Sequence, residues 1–356
     1  MESSRLSRFK RSAAVVPFRL TERDRQMIRL VHRHRFLRST KILALIRGSS
    51  QQLLRRLQLL YHHGFLDRPR SQLDYYHQGG SRHIVFGLGN RGRSLLQKEL
   101  GIGFWELSPD DETNAAGRIY LEHVLLVADV MVGIELACRE NGIRLLTEHE
   151  LALESDQTGK HLPFRWRVQV NSHLNLAVVP DRVFALEFKD QKHNNNRAVF
   201  FLEADRGTMP VRRKNFAQTS FYRKLLAYEA TWSQSIHLRR FGFNRFRVLT
   251  VTTIPARVKS LVEACSKLKS GRGLFLFADH TILERTGNVF SKVWRTATPS
   301  QITSLLPETD FLLRAERPKN NLSGPIIEPL NNNDTPDIKA TATSGKHQRE
   351  DREFGK

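Results

Sequence analysis

Apolar positions recur at helical spacing from residue 20 to about residue 100. Thr21, with Asp24 three residues later, resembles a capping box and predicts the start of a helix. A second short helix is predicted in STKILALIRG (39–48), with Ser39 or Thr40 as its N-cap. A third is predicted after Ser49 and Ser50, in QQLLRRLQLLYHHG (51–64), with Gly64 as its C-cap and an apolar stripe formed by Leu53, Leu54, Leu57 and Leu60.

Strand signals follow this helical stretch. A short strand around residues 65–66, a polar hairpin and a return strand HIVFGLG (83–89) precede a last helix, GRSLLQKELG (92–101). Three helices, a basic hairpin and a closing helix predict a winged helix-turn-helix over residues 20–100. Residues 1–19 read as a basic flexible arm, and 101–117 as a linker.

The remaining pattern alternates between helix and strand. We predict helices at 118–141, 213–232 and 255–269, and strands at 143–153, 165–170, 176–188, 198–206, 246–253 and 274–279. The fold class is therefore α+β, with an N-terminal winged helix followed by an α/β/α mixed sheet over 118–306. Residues 307–356 almost lack apolar periodicity and are predicted to be disordered.

The charge of the chain indicates a polyanionic partner, because the net charge is +21 and the N-terminal part is the most basic. Residues 1–100 hold 21 Lys and Arg against 6 Asp and Glu, or +15 of the total. Double-stranded DNA is the expected partner. A basic ribosome-associated protein, or a merely basic surface, is the alternative. A structural RNA-binding protein is less favoured, because aromatic residues are not interleaved with the basic ones.

Other classes lack their sequence signals. The two cysteines, Cys138 and Cys265, have neither zinc spacing nor a disulfide framework, which suits a reducing cytoplasm. No apolar run is long enough to cross a membrane, and the N-terminus has no signal-peptide core. Glycine-rich phosphate loops and nucleophile elbows are also absent from the sequence. Tyr222 and Tyr228 fall on an amphipathic helix, where packing is their expected role.

Eight residues are predicted to contact DNA. The third helix presents Gln and Arg near its start, and these side chains can read adenine and guanine edges. The hairpin is expected to contact the phosphate backbone. The candidates are Gln51, Gln52, Arg55 and Arg56 on the helix, and Arg68, Arg70, Arg82 and Arg91 around the wing. A solvated helix face is the alternative for the first four. A homodimer is compatible with such a protein, although the sequence does not require one.

Three acidic residues in apolar, strand-like runs are the candidates for catalysis. Asp181 lies in AVVPDRVFALEF, and Glu203 and Asp205 lie in AVFFLEADRGT, with an Asn-rich turn between the runs. Buried charge needs compensation, and Mg²⁺ is a frequent compensating ion in DNA-cutting enzymes. Glu203 and Asp205 are two residues apart and share one face of the strand. The alternative is that the three acids pair with arginines and bind no metal.

The order helix, three strands, helix, strand resembles the PD-(D/E)XK nuclease superfamily. The resemblance implies that Asp181 and Glu203 hold the metal, whereas Asp205 stands where the pattern expects a lysine. Lys224 or Lys214 could replace that lysine, and Arg206 or Arg213 could offset charge. Asp205 could be a third metal ligand or a partner of Arg206 or Arg223. Glu122 and His123, on the preceding helix, could complete the site.

Over roughly residues 20–300, the chain resembles the bacterial replication-relaxation family of plasmids and other mobile elements. Segments that carry this resemblance include LTERDRQMIRLV, LLRRLQLLYHHGFLDR, LEHVLLVADVMV, PDRVFALE, FFLEADRGTMPV and FYRKLLAYE. The resemblance implies a role in plasmid replication and DNA relaxation. Two functions follow as alternatives: a Mg²⁺-dependent DNA-nicking protein, or a non-catalytic DNA-binding regulator whose nuclease-like domain serves dimerisation.

Overall fold

The structure is a computed structural model that describes eight segments of the chain. These are residues 8–12, 17–73, 83–101, 117–155, 164–188, 197–215, 218–298 and 300–306. Arg82, the Asn-rich turn at 194–196, most of the predicted linker and the predicted tail lie outside them.

The described residues of the N-terminal unit form four α-helices and a small antiparallel sheet with strand order β1-β3-β2. Its elements are α1 (Glu22–His34), β1 (Phe36–Arg38), α2 (Ser39–Leu45), α3 (Ser50–His62), β2 (Leu66–Asp67), β3 (Val85–Leu88) and α4 (Asn90–Leu100). Part of the predicted arm lies against this unit, since Arg11 Nε donates to the carbonyl of Tyr61 (3.1 Å).

The capping box predicted for α1 is confirmed. The Asp24 amide donates to Thr21 Oγ1 (3.3 Å), and the Thr21 amide donates to the Asp24 carboxylate (2.7 Å). Two other details were wrong. Arg38, still extended, is the N-cap of α2, and Ser39 is already helical. Leu54, predicted in the apolar stripe of α3, is 45% exposed because it lies outside the arc that faces the core.

The second unit is built on a seven-stranded mixed sheet with strand order β12-β11-β10-β9-β8-β7-β4. Its helices are α5 (Arg118–Asn141), α6 (Glu148–Ser155), α7 (Phe221–Ser233), α8 (Ile236–Phe241), α9 (Pro255–Ser266) and α10 (His280–Thr286). Its strands are β4 (Arg144–Leu146), β5 (Trp166–Asn171), β6 (Leu174–Val178), β7 (Arg182–Glu187), β8 (Arg197–Asp205), β9 (Phe246–Thr252), β10 (Phe275–Asp279), β11 (Trp294–Arg295) and β12 (Ile302–Thr303).

Strand directions fix which ends of the strands share an edge. β8, β9 and β10 are parallel, whereas β7 runs antiparallel to β8 and β4 antiparallel to β7. β5 and β6 form a separate two-stranded sheet. The described residues thus form a mixed α+β structure, as the sequence predicted at that level. Among the described helices, none combines the length and apolarity needed to cross a bilayer.

Three predicted segments differ from the structure. The strand at 143–153 ends at Leu146, because Thr147 and Glu150 exchange side-chain and backbone hydrogen bonds that open α6. The run at 176–188 contains two strands in different sheets, β6 and β7, separated at Pro180, which lacks an N–H for a ladder. The helix predicted at 213–232 begins only at Phe221, whose amide donates to the carbonyl of Pro210 (3.0 Å).

Alternate residues of β8 face different cores. Val199 and Phe201 pack with α7 and α9, whereas Phe200 and Leu202 pack with α5. Glu203 and Asp205 continue the first set and therefore face α7 and α9. Helix α5 also contributes Ala128 to the core of the N-terminal unit, so this helix packs against both units.

Candidate active site

Two adjacent antiparallel strands position the predicted acids. Asp181 immediately precedes β7, and its amide donates to the carbonyl of Leu202 in β8 (3.0 Å). Asp205 is the last residue of β8 and Glu203 lies two residues before it. The side chains of both acids are almost fully buried. The structure therefore brings the start of β7 and the end of β8 to one edge of the sheet.

Asp181 is held from two sides. Its Oδ1 lies 3.0 Å from His123 Nε2 of α5, and its Oδ2 accepts the amide of Ala204 (2.7 Å). Burial acts to raise the pKa of Asp181, but the His123 hydrogen bond and the charge of Lys224 outweigh burial and lower that pKa. Asp181 is therefore ionised at neutral pH.

Glu203 has a different environment. Its Oε2 contacts the ammonium of Lys224, and its Oε1 accepts the hydroxyl of Tyr228 (2.6 Å). Burial and the negative charge of Asp181 raise the pKa of Glu203, against the opposing effect of Lys224. The two neighbouring carboxylates repel each other, and a cation bound between them would relieve this repulsion.

Lys224 links the acids electrostatically. Burial acts to lower its pKa, but the carboxylates of Glu203 and Asp181, and more weakly Asp205, raise it above the ordinary value. Its side chain is still 38% exposed, so the ammonium reaches the buried acids from the solvent side. A protonated lysine can offset negative charge but cannot accept a proton. Lys214, the other candidate, lies exposed ahead of α7.

Asp205 is engaged by an arginine that the sequence did not suggest. Arg257, near the start of α9, donates to both carboxylate oxygens, with Nη2 3.1 Å from Oδ1, and Nη2 also donates to the carbonyl of Met209. The Gly207 amide adds a hydrogen bond to Oδ1 (3.2 Å). Arg206 instead pairs with Glu122 (3.3 Å). Asp205 therefore acts as an ion-pair partner in this arrangement.

The three predicted acids do not converge on one point. Among the described residues, the group whose three ligand atoms all lie within 4.8 Å of one another is formed by Asp129, His280 and Glu284. Asp181 and Glu203 remain as a pair of carboxylates, with Lys224 as the nearest cation. Such a pair can share a divalent ion with water or substrate oxygens, because Mg²⁺ commonly takes only one or two protein carboxylates.

The predicted DNA-contacting residues fall into two groups. Gln51, Gln52, Arg55, Arg70 and Arg91 are exposed, and Arg82 lies outside the described residues. Arg91 also donates to the carbonyl of His63 (3.1 Å) and lies 4.7 Å from the ring centre of Phe65. Arg56 instead bonds the buried Asp24 (Nε–Oδ1 2.9 Å), and its guanidinium lies 4.2 Å from the ring centre of Phe18. Arg68 is only 5% exposed and stacks on Tyr61 at 4.1 Å. Internal contacts thus occupy Arg56 and Arg68 in this structure.

Two residues of the site were not predicted from the sequence. Tyr228 lies four residues after Lys224, so both share one face of α7, and this spacing was a usable signal. Arg257 follows β9, which pairs in parallel with β8 and sets Thr252 opposite Asp205. Only the strand pairing, which the sequence does not give, identifies Arg257 as a partner of Asp205.

A family model described as Replication-relaxation matches residues 28–245 of the chain. The matched range includes α3, the two strands that carry the acids, and the Lys224 helix. No curated protein matches the chain, and no solved structure does.

Proposed function

The chain belongs to the replication-relaxation family, and we propose that it is a DNA-binding protein of a plasmid or other mobile element that nicks duplex DNA with Mg²⁺. The observation that carries the proposal is the contact of Lys224 with Glu203. It supplies, from α7, the cation that the nuclease pattern expects two residues after Glu203.

The N-terminal unit would bind the duplex. Its three helices, its small sheet in the order β1-β3-β2 and its closing helix support a winged helix-turn-helix. The exposed Gln51, Gln52 and Arg55 lie on the first turns of α3, where a recognition helix reads base edges. Arg70 and Arg91 would contact phosphates.

The edge of the sheet would carry out the cutting. Apart from α6, α8 and the separate β5–β6 sheet, the chain order is α5, β4, β7, β8, α7, β9. This order, with Asp181 and Glu203 side by side, supports a PD-(D/E)XK-like arrangement. Asp181 and Glu203 would hold Mg²⁺, which when bound polarises a phosphate and activates water. Protonated Lys224 would stabilise the charge that develops on the phosphate. His123 and Ala204 would keep the Asp181 carboxylate in position.

A second candidate function rests on the contacts that occupy the acids. Arg257 binds both oxygens of Asp205, and Lys224 with Tyr228 engages both oxygens of Glu203. These contacts favour a regulator that binds DNA without cutting it. In such a regulator the second unit, built on the seven-stranded sheet, would serve dimerisation.

Cleavage of supercoiled plasmid by the purified chain separates the two functions. The nicking proposal expects open-circular product with Mg²⁺ or Mn²⁺ and none with EDTA. Glu203→Gln should abolish the product, whereas Glu263→Gln, at a 68% exposed position of α9, should retain it. DNA binding without any product, at equal folding of all variants by circular dichroism, would establish the regulator instead.

A further inference from the structure

A second cluster of ligand-type side chains lies on the opposite face of the sheet. Asp129 of α5 and His280 and Glu284 of α10 place three ligand atoms within 4.8 Å of one another. His280 and Glu284 are four residues apart, so they share one face of α10. Leu283, between them in sequence, packs into the core that α5 covers, which fixes α10 against the sheet.

The distances within this cluster are too long for hydrogen bonds. His280 Nε2 lies 3.6 Å from Asp129 Oδ2 and 3.6 Å from Glu284 Oε1. Ligand bonds of 2.0–2.2 Å at a tetrahedral angle separate neighbouring ligand atoms by about 3.4 Å. The His280–Glu284 separation therefore suits two ligands of one small divalent ion better than a direct contact between the two side chains.

Two polar atoms of the cluster are buried without hydrogen-bond partners among the described residues. They are Asp129 Oδ1 and His280 Nε2. Asp129 as a whole is only 6% exposed, and the Lys41 ammonium lies 3.9 Å from Oδ1. Buried polar atoms without partners are costly, and a bound cation would satisfy both.

The surroundings leave room for further ligands. Asp129 and His280 line a pocket of about 320 Å³, together with Thr208 and Thr253 from the loops after β8 and β9. Glu122 and two arginines, Arg38 and Arg206, also line it. Water can fill the remaining coordination positions there. Arg38 of the N-terminal unit contacts Asp129 Oδ2 and so fixes the carboxylate while Oδ1 stays available. A hydrogen bond to the non-ligating side of a ligand commonly orients it.

We propose that Asp129, His280 and Glu284 form a binding site for a divalent transition metal of the zinc class. Imidazole nitrogen with two carboxylates favours Zn²⁺ over Mg²⁺, which prefers oxygen ligands alone. Arg38 and Lys41 belong to the N-terminal unit, whereas Asp129 and His280 belong to helices on the large sheet. The ion therefore binds where the two units meet and stabilises their contact, independently of Asp181 and Glu203.

Zinc titration of the untagged full chain, stripped of metal with EDTA and then dialysed, tests the site. Calorimetry should show a zinc site in the wild type, and Co²⁺ should give visible absorption bands of a nitrogen- and oxygen-ligated ion. His280→Ala should weaken binding by more than about 10-fold. Glu284→Gln, at a 54% exposed position, tests the same site with little risk to folding.

Two control variants locate the ion. His173→Ala removes an exposed histidine, and Glu203→Gln alters the proposed Mg²⁺ site, so both should keep the zinc site. The proposal is overturned if the wild type binds no zinc, if His280→Ala and Glu284→Gln bind like the wild type, or if Glu203→Gln removes the site. Failure of plasmid nicking leaves these results unaffected, so the two proposals fail separately.

Discussion

Lys224 and Glu203 form an ion pair that joins α7 to the end of β8. The Glu203 carboxylate is buried, and the Lys224 side chain approaches it from a more open side. Tyr228, one turn later on α7, bonds the other oxygen of the same carboxylate. One helix thus supplies both groups that satisfy a buried acid, which makes the position of α7 decisive for the candidate site.

Tyr228→Phe tests the second of these contacts. The change removes a hydroxyl that donates to a buried carboxylate, and hydrogen bonds to charged groups contribute about 1.5–3 kcal/mol. We expect the free energy of unfolding to fall by that amount in urea denaturation. Tyr222→Phe, on the same helix but half-buried, is the matched control and should change stability by less. Equal effects of the two changes would argue against the Tyr228–Glu203 bond.

Arg257→Met should lower the free energy of unfolding more than most single changes in the second unit. It leaves the buried Asp205 carboxylate without its arginine, and breaking a buried pair costs about 3–5 kcal/mol. Adding Asp205→Asn should restore part of the loss, which denaturant titration of the single and double variants would measure.

Arg206→Met is the control for Arg257→Met. Its partner Glu122 is 33% exposed and keeps a second ion pair with Arg118 (3.0 Å), so the expected cost is about 1 kcal/mol or less. The ion pair described for Asp205 would be contradicted by two results together. Arg206→Met and Arg257→Met would lower the free energy of unfolding equally, and Asp205→Asn would recover none of the loss in the Arg257→Met background.

Asp24 gives stability a defined pH dependence. Burial acts to raise its pKa, but hydrogen bonds from Arg56 and Thr21 lower it below the ordinary 3.8. The unfolded chain therefore binds the proton more tightly, and the stabilisation is present above the ordinary pKa and lost as pH falls through the folded value. The stability difference between wild type and Asp24→Asn should be largest above about pH 5 and shrink in acid. A difference that does not change with pH would contradict this.

Neighbouring arginines on α3 should behave differently. Arg55 is exposed on the proposed DNA-reading face, so Arg55→Ala should weaken DNA binding by about 1–3 kcal/mol and leave stability nearly unchanged. Arg56 bonds Asp24, so Arg56→Ala should lower stability. Fluorescence anisotropy with a DNA duplex and thermal melting measure the two effects. If Arg55→Ala leaves affinity unchanged, α3 is not the reading helix.

Much of the architecture could be predicted from local pattern. The α1 capping box, the length of α5 and the α+β class follow from residue spacing and capping chemistry, which act within a few residues. The site was predictable in part: Asp181, Glu203 and Lys224 do meet. The Arg257–Asp205 pair depends on which strands lie side by side, as does the Asp129–His280 cluster. Contacts between distant parts of the chain are set by tertiary packing, which local pattern does not specify.

Plasmid nicking by Lys224→Met, compared with Lys214→Met, tests whether Lys224 takes part in DNA cleavage. Lys214 is exposed and lies ten positions earlier in the chain, so it controls for loss of one positive charge. With Mg²⁺, and at equal DNA binding and folding, we expect Lys224→Met to lose nicking and Lys214→Met to keep it. Nicking by Lys224→Met at the wild-type rate would contradict the assignment of Lys224 and Glu203 as the active pair.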